Sequence, residues 1–87
     1  MKYKLLFNKK VLKTLKKLDD NDRKIIIKWL EKNIDKSPEP RQFGKALKGN
    51  LKDYWRYRIG KYRVIVSIND DELIVLTIDV GHRKDIY

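Results

Sequence analysis

The stretch that decides the fold is Tyr54-Trp55-Arg56-Tyr57-Arg58-Ile59-Gly60-Lys61-Tyr62-Arg63-Val64-Ile65-Val66-Ser67-Ile68. Two runs rich in aromatic and β-branched residues flank Gly60-Lys61, a glycine-first pair that suits a two-residue hairpin turn. Side chains alternate faces along a strand. Trp55, Tyr57 and Ile59 therefore share a face, and Tyr62, Val64, Val66 and Ile68 share one on the next strand. The tight turn sets Ile59 opposite Tyr62, Tyr57 opposite Val64, Trp55 opposite Val66 and Arg58 opposite Arg63. This register is self-consistent, because a slip of one residue would send every apolar side chain to the wrong side.

The opposite face of the hairpin carries Arg56, Arg58 and Arg63. The register brings Arg58 and Arg63 side by side, with Cβ atoms about 5 Å apart, and like charges so placed are destabilising. Arg56 lies one pleat away. Guanidinium forks each donate two hydrogen bonds to phosphate oxygens, so three of them converging form an anion site. The other reading is an exposed strand face whose arginines are solvated or paired with Asp79 or Asp53.

Outward from the hairpin, Asn69-Asp70-Asp71-Glu72 makes a second turn into a third strand, Leu73–Val80. That strand is apolar on both faces apart from Thr77 and Asp79, as befits a central or well-covered position. Upstream, residues 2–7 read as a short strand with Tyr3, Leu5 and Phe7 on one face. Asn8 can cap a helix from Lys9, in which Val11, Leu15 and Leu18 form a stripe widened by Leu12. Lysines 9, 10, 13, 16 and 17 cover the rest, as a solvated face or as an RNA groove. Asp19-Asp20-Asn21-Asp22 starts a second helix, running to about Lys36, with Ile26, Ile27, Leu30 and Ile34 as its stripe and Ile25 and Trp29 beside it. Trp29 and Trp55 read as core residues or as base-stacking platforms. Ser37-Pro38-Glu39-Pro40 ends the second helix. Residues 41–51 read as a loop with one helical turn near Lys45–Lys48.

The expected fold class is α+β: an N-terminal strand, then a helical hairpin packed on an antiparallel sheet formed with the three-stranded C-terminal meander. Neither the hairpin nor the sheet can bury its apolar side alone. The first strand is expected at an edge of the sheet, and residues 1–87 form a single domain.

Lys and Arg number 22 against 12 Asp and Glu, a formal net charge of +10. On so small a surface that excess attracts polyanions, nucleic acid first and an acidic protein partner next. Hydrophobic residues make up 41% of the chain, enough for a core and against disorder. There is no cysteine and one histidine, so neither disulfides nor a metal site is expected. No signal peptide or membrane span is recognisable, and a cytoplasmic protein without cofactor is expected.

The tail is Gly81-His82-Arg83-Lys84-Asp85-Ile86-Tyr87. Gly81 allows a change of direction. If the third strand ends near the arginine hairpin, Arg83 and Tyr87 join the same anion. The alternative is a frayed terminus. His82 is the one side chain whose ordinary pKa suits proton transfer near neutrality.

Together, Leu47-Lys48-Gly49, Tyr54-Trp55-Arg56-Tyr57-Arg58-Ile59, Gly60-Lys61-Tyr62-Arg63-Val64 and Val80-Gly81-His82-Arg83 with Tyr87 resemble the RelE/ParE toxin superfamily, over nearly the whole chain. The resemblance implies the RelE-like fold and a toxin that cleaves messenger RNA in the ribosomal A site by attack of the ribose 2′-OH. Implied partners are a cognate antitoxin, messenger RNA and the ribosome with its rRNA. Operator DNA is reached only through the antitoxin complex, and no membrane is involved. By position, Arg56 and Arg58 match the basic pair of the first meander strand, Arg63 the arginine of the next, and Arg83 and Tyr87 the tail pair. Lys48 and Lys61 join Arg56 and Arg58 as substrate phosphate contacts. RelE-like members often carry lysine where this chain has Arg56 and Arg58. An arginine keeps its proton, so neither residue serves as a general base. Arg58, Arg63 and Arg83 would stabilise the developing charge, Tyr87 would take the 2′-OH proton with His82 as second candidate, and His82 or water would protonate the leaving oxygen. ParE-like toxins share the fold and poison DNA gyrase, and a non-catalytic nucleic-acid-binding module is the third reading.

Overall fold

The structure is a computed structural model and describes residues 1–47 and 54–82. The elements run β1 (Lys4–Phe7), α1 (Lys9–Lys17), α2 (Asp20–Asn33), a 3₁₀ turn (Pro40–Gln42), β2 (Lys45–Ala46), β3 (Tyr54–Ile59), β4 (Tyr62–Asn69) and β5 (Ile74–His82). The expected α+β class and helical hairpin are present. Asn8 caps α1 by accepting a hydrogen bond from the Val11 N–H at 2.8 Å, and Asp19 caps α2 by accepting from the Asn21 N–H at 2.9 Å.

The five strands form one sheet in the order β1-β5-β4-β3-β2. The β3–β4 register is the one the Gly60-Lys61 turn dictates: Ile59 faces Tyr62, Tyr57 faces Val64, Trp55 faces Val66 and Arg58 faces Arg63. Gly60 sits at φ +59°, the left-handed conformation its turn requires. β5 lies between β4 and β1, an interior position that suits its apolar faces.

β1 occupies an edge but runs parallel to β5, so the sheet is mixed, not wholly antiparallel. The helical hairpin supplies the long crossover that a parallel neighbour needs. α2 stops at Asn33, short of Lys36, because the chain there is drawn onto the outer side of β1. The Lys36 N–H donates to the Tyr3 carbonyl at 2.8 Å, and the Tyr3 N–H donates to the Ser37 carbonyl at 2.9 Å. Lys36 takes φ +64° to make that reversal. The helical turn expected near Lys45–Lys48 is instead the edge strand β2, with Lys45 opposite Arg56 and Ala46 opposite Trp55.

The helices cover one face of the sheet, α1 over β5 and α2 over β3. Between them lie Val11, Leu15, Ile26, Leu30, Ile34, Tyr57, Val64, Val66 and Val75, all buried. Leu12 and Ile25, expected to widen the stripes, are about half exposed instead, at 47% and 48%. Trp29 packs within this layer, 5.3 Å from the Tyr57 ring and 5.5 Å from that of Phe43. Among the described residues no helix is long and apolar enough to cross a membrane.

Candidate nucleic-acid interface

Among the described residues the helices lie against one face of the sheet only, and the register decides what stands on the other. One row across the strands reads Lys45, Arg56, Ile65, Asp79; the next reads Arg58, Arg63, Gly81. Cross-strand partners share a face. Four cationic side chains are thus gathered on three adjacent strands. Gly81 presents no side chain beside Arg63. Arg58 is exposed, whereas Arg56 and Arg63 are partly buried. Arg56 and Arg58, with Gly44 and Lys45, line a pocket of about 250 Å³. Asp79, the acidic residue at the end of the row, has its carboxylate 3.6 Å from the Lys10 ammonium of α1. Two arginines at opposed positions of a two-strand ladder, with further cations one pleat away, are suited to donate paired hydrogen bonds to phosphate oxygens.

Lys61 is exposed at the hairpin tip. His82 goes elsewhere: it pairs with Tyr62, whose side chain points to the helix side, and the two rings meet edge-on at 5.9 Å. The structure therefore does not bring His82 onto the face of Arg58 and Arg63. The Tyr62 hydroxyl donates to Asp22 at 2.9 Å, and that hydrogen bond to a carboxylate raises the phenol's pKa. Lys48, Arg83 and Tyr87 lie outside the described residues. The described part of β5 reaches His82, which pairs with Tyr62 next to the Arg63–Gly81 pair.

Lys45 escapes a sequence reading because a two-residue strand has no periodicity. Its place is fixed by the loop before it. The Trp55 indole N–H donates to the Phe43 carbonyl, and the buried Tyr57 hydroxyl donates to the Pro40 carbonyl at 2.7 Å. Burial pushes the Tyr57 phenol well above its usual pKa, so it remains a donor. Arg41 holds the start of the loop through a bidentate pair with Asp70, at 2.8 and 3.0 Å, and the Tyr3 hydroxyl donates to the same carboxylate at 2.6 Å.

Residues 5–87 match the family described as ParE toxin of type II toxin–antitoxin system. The chain belongs to the RelE/ParE toxin superfamily. It is 35% identical over 86 residues to toxin RelE3 of Methanocaldococcus jannaschii, covering 97% of this chain and 94% of that protein. Its fold superposes on the RelBE2 toxin–antitoxin complex of Mycobacterium tuberculosis with a TM-score of 0.84 at 25% identity, covering 98% of this chain and 95% of that one. The isolated RelE toxin of E. coli gives a TM-score of 0.73 at 27% identity, covering 98% and 90%. The protein is a type II toxin of the RelE family, and its superfamily fold accounts for the helix-free sheet face that carries the arginines.

Proposed function

We propose that this toxin is a metal-independent endoribonuclease that cuts messenger RNA in the ribosomal A site. The observation that carries the reading is the direct opposition of Arg58 and Arg63 on the face away from the helices, with Arg56 one pleat away. That arrangement costs stability and suits the binding of a phosphate.

In the reaction the ribose 2′-oxygen attacks the adjacent phosphorus and the bond to the 5′-oxygen breaks. The products are a 2′,3′-cyclic phosphate and a 5′-hydroxyl. Arg58, Arg63 and Arg83 stabilise the added negative charge, an effect of a few kcal/mol per donor. Arg56, Lys48 and Lys61 hold the flanking backbone. Tyr87 accepts the 2′-OH proton. His82 faces the helices and packs on Tyr62, so water supplies the proton to the leaving oxygen. The weak acid–base set makes the ribosome's alignment of the strand a large part of the rate. The protein works in the cytoplasm, and a cognate antitoxin neutralises it by covering the basic face. The M. tuberculosis relative, described in a toxin–antitoxin complex, supports that partner.

The test is cleavage in an in vitro translation reaction, with mRNA 5′ ends mapped by primer extension. Discrete ribosome-dependent cuts are expected, absent with Arg63→Ala and with Tyr87→Phe. The matched family bears the ParE name, which favours a second reading, inhibition of DNA gyrase. Intact mRNA together with blocked gyrase supercoiling would establish that one.

A further inference from the structure

We propose that Gly44 and Lys45 form a second phosphate subsite, one nucleotide along the RNA from the phosphate held between Arg58 and Arg63. The proposal rests on the nuclease reading above and adds to it a substrate contact from the edge strand.

Lys45 stands opposite Arg56 on the same sheet face, and with Arg58 and Gly44 the two line the 250 Å³ pocket. The strand that carries it is held from both ends. Before it, the Phe43 carbonyl accepts from the Trp55 indole. After it, the Leu47 N–H donates to the Tyr54 carbonyl at 3.3 Å. Gly44 is what lets the backbone come this close. It sits at φ +76°, and a Cβ there would collide with the carbonyl oxygen of Arg56 and crowd the Tyr57 ring. The site is therefore a constructed part of the sheet edge, with its cation placed by a ladder and not left on a free loop.

Arg56 and Arg58 are two residues apart on one strand, a separation of about 7 Å along the sheet. That is close to the step between neighbouring phosphates of an extended strand. The Arg58–Arg63 row holds one phosphate and the Lys45–Arg56 row the next. The chemistry divides accordingly. Guanidinium forks fix the oxygens of the reacting phosphate, while a lysine, a point charge on a flexible stem, suits a neighbour that need only be held in line.

The experiment compares a dinucleoside monophosphate with a trinucleoside diphosphate, both 2′-O-methylated so that they cannot be cleaved, by NMR titration of the full chain. The wild type gains roughly two- to five-fold in affinity from the second phosphate, the scale of one exposed ion pair. Lys45→Ala erases that gain and leaves the dinucleotide unchanged. Its salt slope on the longer oligomer falls by about 0.7. Lys45→Arg keeps the gain, and Arg63→Ala weakens both oligomers. Lys45 is exposed, so its variants keep the wild-type melting temperature. If the gain survives Lys45→Ala while Arg63→Ala still loses both oligomers, the subsite is wrong and the nuclease reading stands. A wild type with no affinity for either oligomer overturns both.

Discussion

Arg58 and Arg63 face each other across β3 and β4, and like charges set directly opposite one another disfavour the pairing. A residue kept against stability marks a site where function sets the choice. Arg58 is exposed, so a β-branched replacement fits the strand without strain. Arg58→Thr is expected to raise stability by roughly 0.2–1 kcal/mol, read as a higher urea midpoint at unchanged slope. The same variant should lose mRNA cleavage. A variant both less active and less stable would mean that the pair is structural. His82 gives the complementary case. Its ring meets Tyr62 edge-on on the helix side, so an apolar ring of similar size preserves the contact. His82→Phe should cleave at close to the wild-type rate with an unshifted pH profile. Loss of one limb of that profile would return His82 to proton transfer.

At the scale of elements, the clamp formed by Arg41, Asp70 and Tyr3 ties the loop leading to β2 to the β4–β5 turn. The Arg41 guanidinium, and then the Tyr3 hydroxyl, hold the Asp70 carboxyl below the usual carboxylate range. A carboxyl lowered by folding adds stability that is complete above its unfolded pKa of about 3.9. That stability drains away as the pH falls through the lower folded value. Asp70→Asn should therefore melt below wild type at neutral pH, by no more than about 1 kcal/mol, since water and salt screen this exposed pair. The two proteins should converge under strong acid, and a constant gap from neutral pH to acid would exclude the linkage. The hairpin beside this clamp was legible from sequence because Gly60-Lys61 fixes the register of two alternating strands, and with it the Arg56, Arg58 and Arg63 face. The edges were not. β2 is two residues long and exists only because Gly44 admits the chain against Arg56, which hid Lys45. β1 looks the same in sequence whether its neighbour runs parallel or antiparallel. β5 begins at Ile74, one residue late, because Leu73 takes φ +56° to finish the turn. It continues past Val80 because Gly81 and His82 find partners in Arg63 and Tyr62.

Among the described residues the two tasks divide by face, with the helix-packed core on one side of the sheet and Lys45, Arg56, Arg58 and Arg63 on the other. Leu30 and Arg63 are thus distinct ways to inactivate the same protein. Leu30 is fully buried in the helix layer. Its truncation to alanine costs about 2–5 kcal/mol from lost transfer energy and the cavity left behind. A chain of this length has roughly 4–13 kcal/mol of stability in all. Leu30→Ala therefore removes a large share of that stability and lowers the melting temperature without touching the basic face. Its cleavage should fall in proportion to the unfolded fraction and return on cooling, with the cut sites unchanged. Arg63→Ala should stay folded and inactive at every temperature. Measuring cleavage and circular dichroism together between 15 and 45 °C, roughly the range in which a small domain loses such a margin, separates the two. If Leu30→Ala stays inactive while fully folded in the cold, the helix layer shapes the basic face directly, and the division of labour between the two faces does not hold.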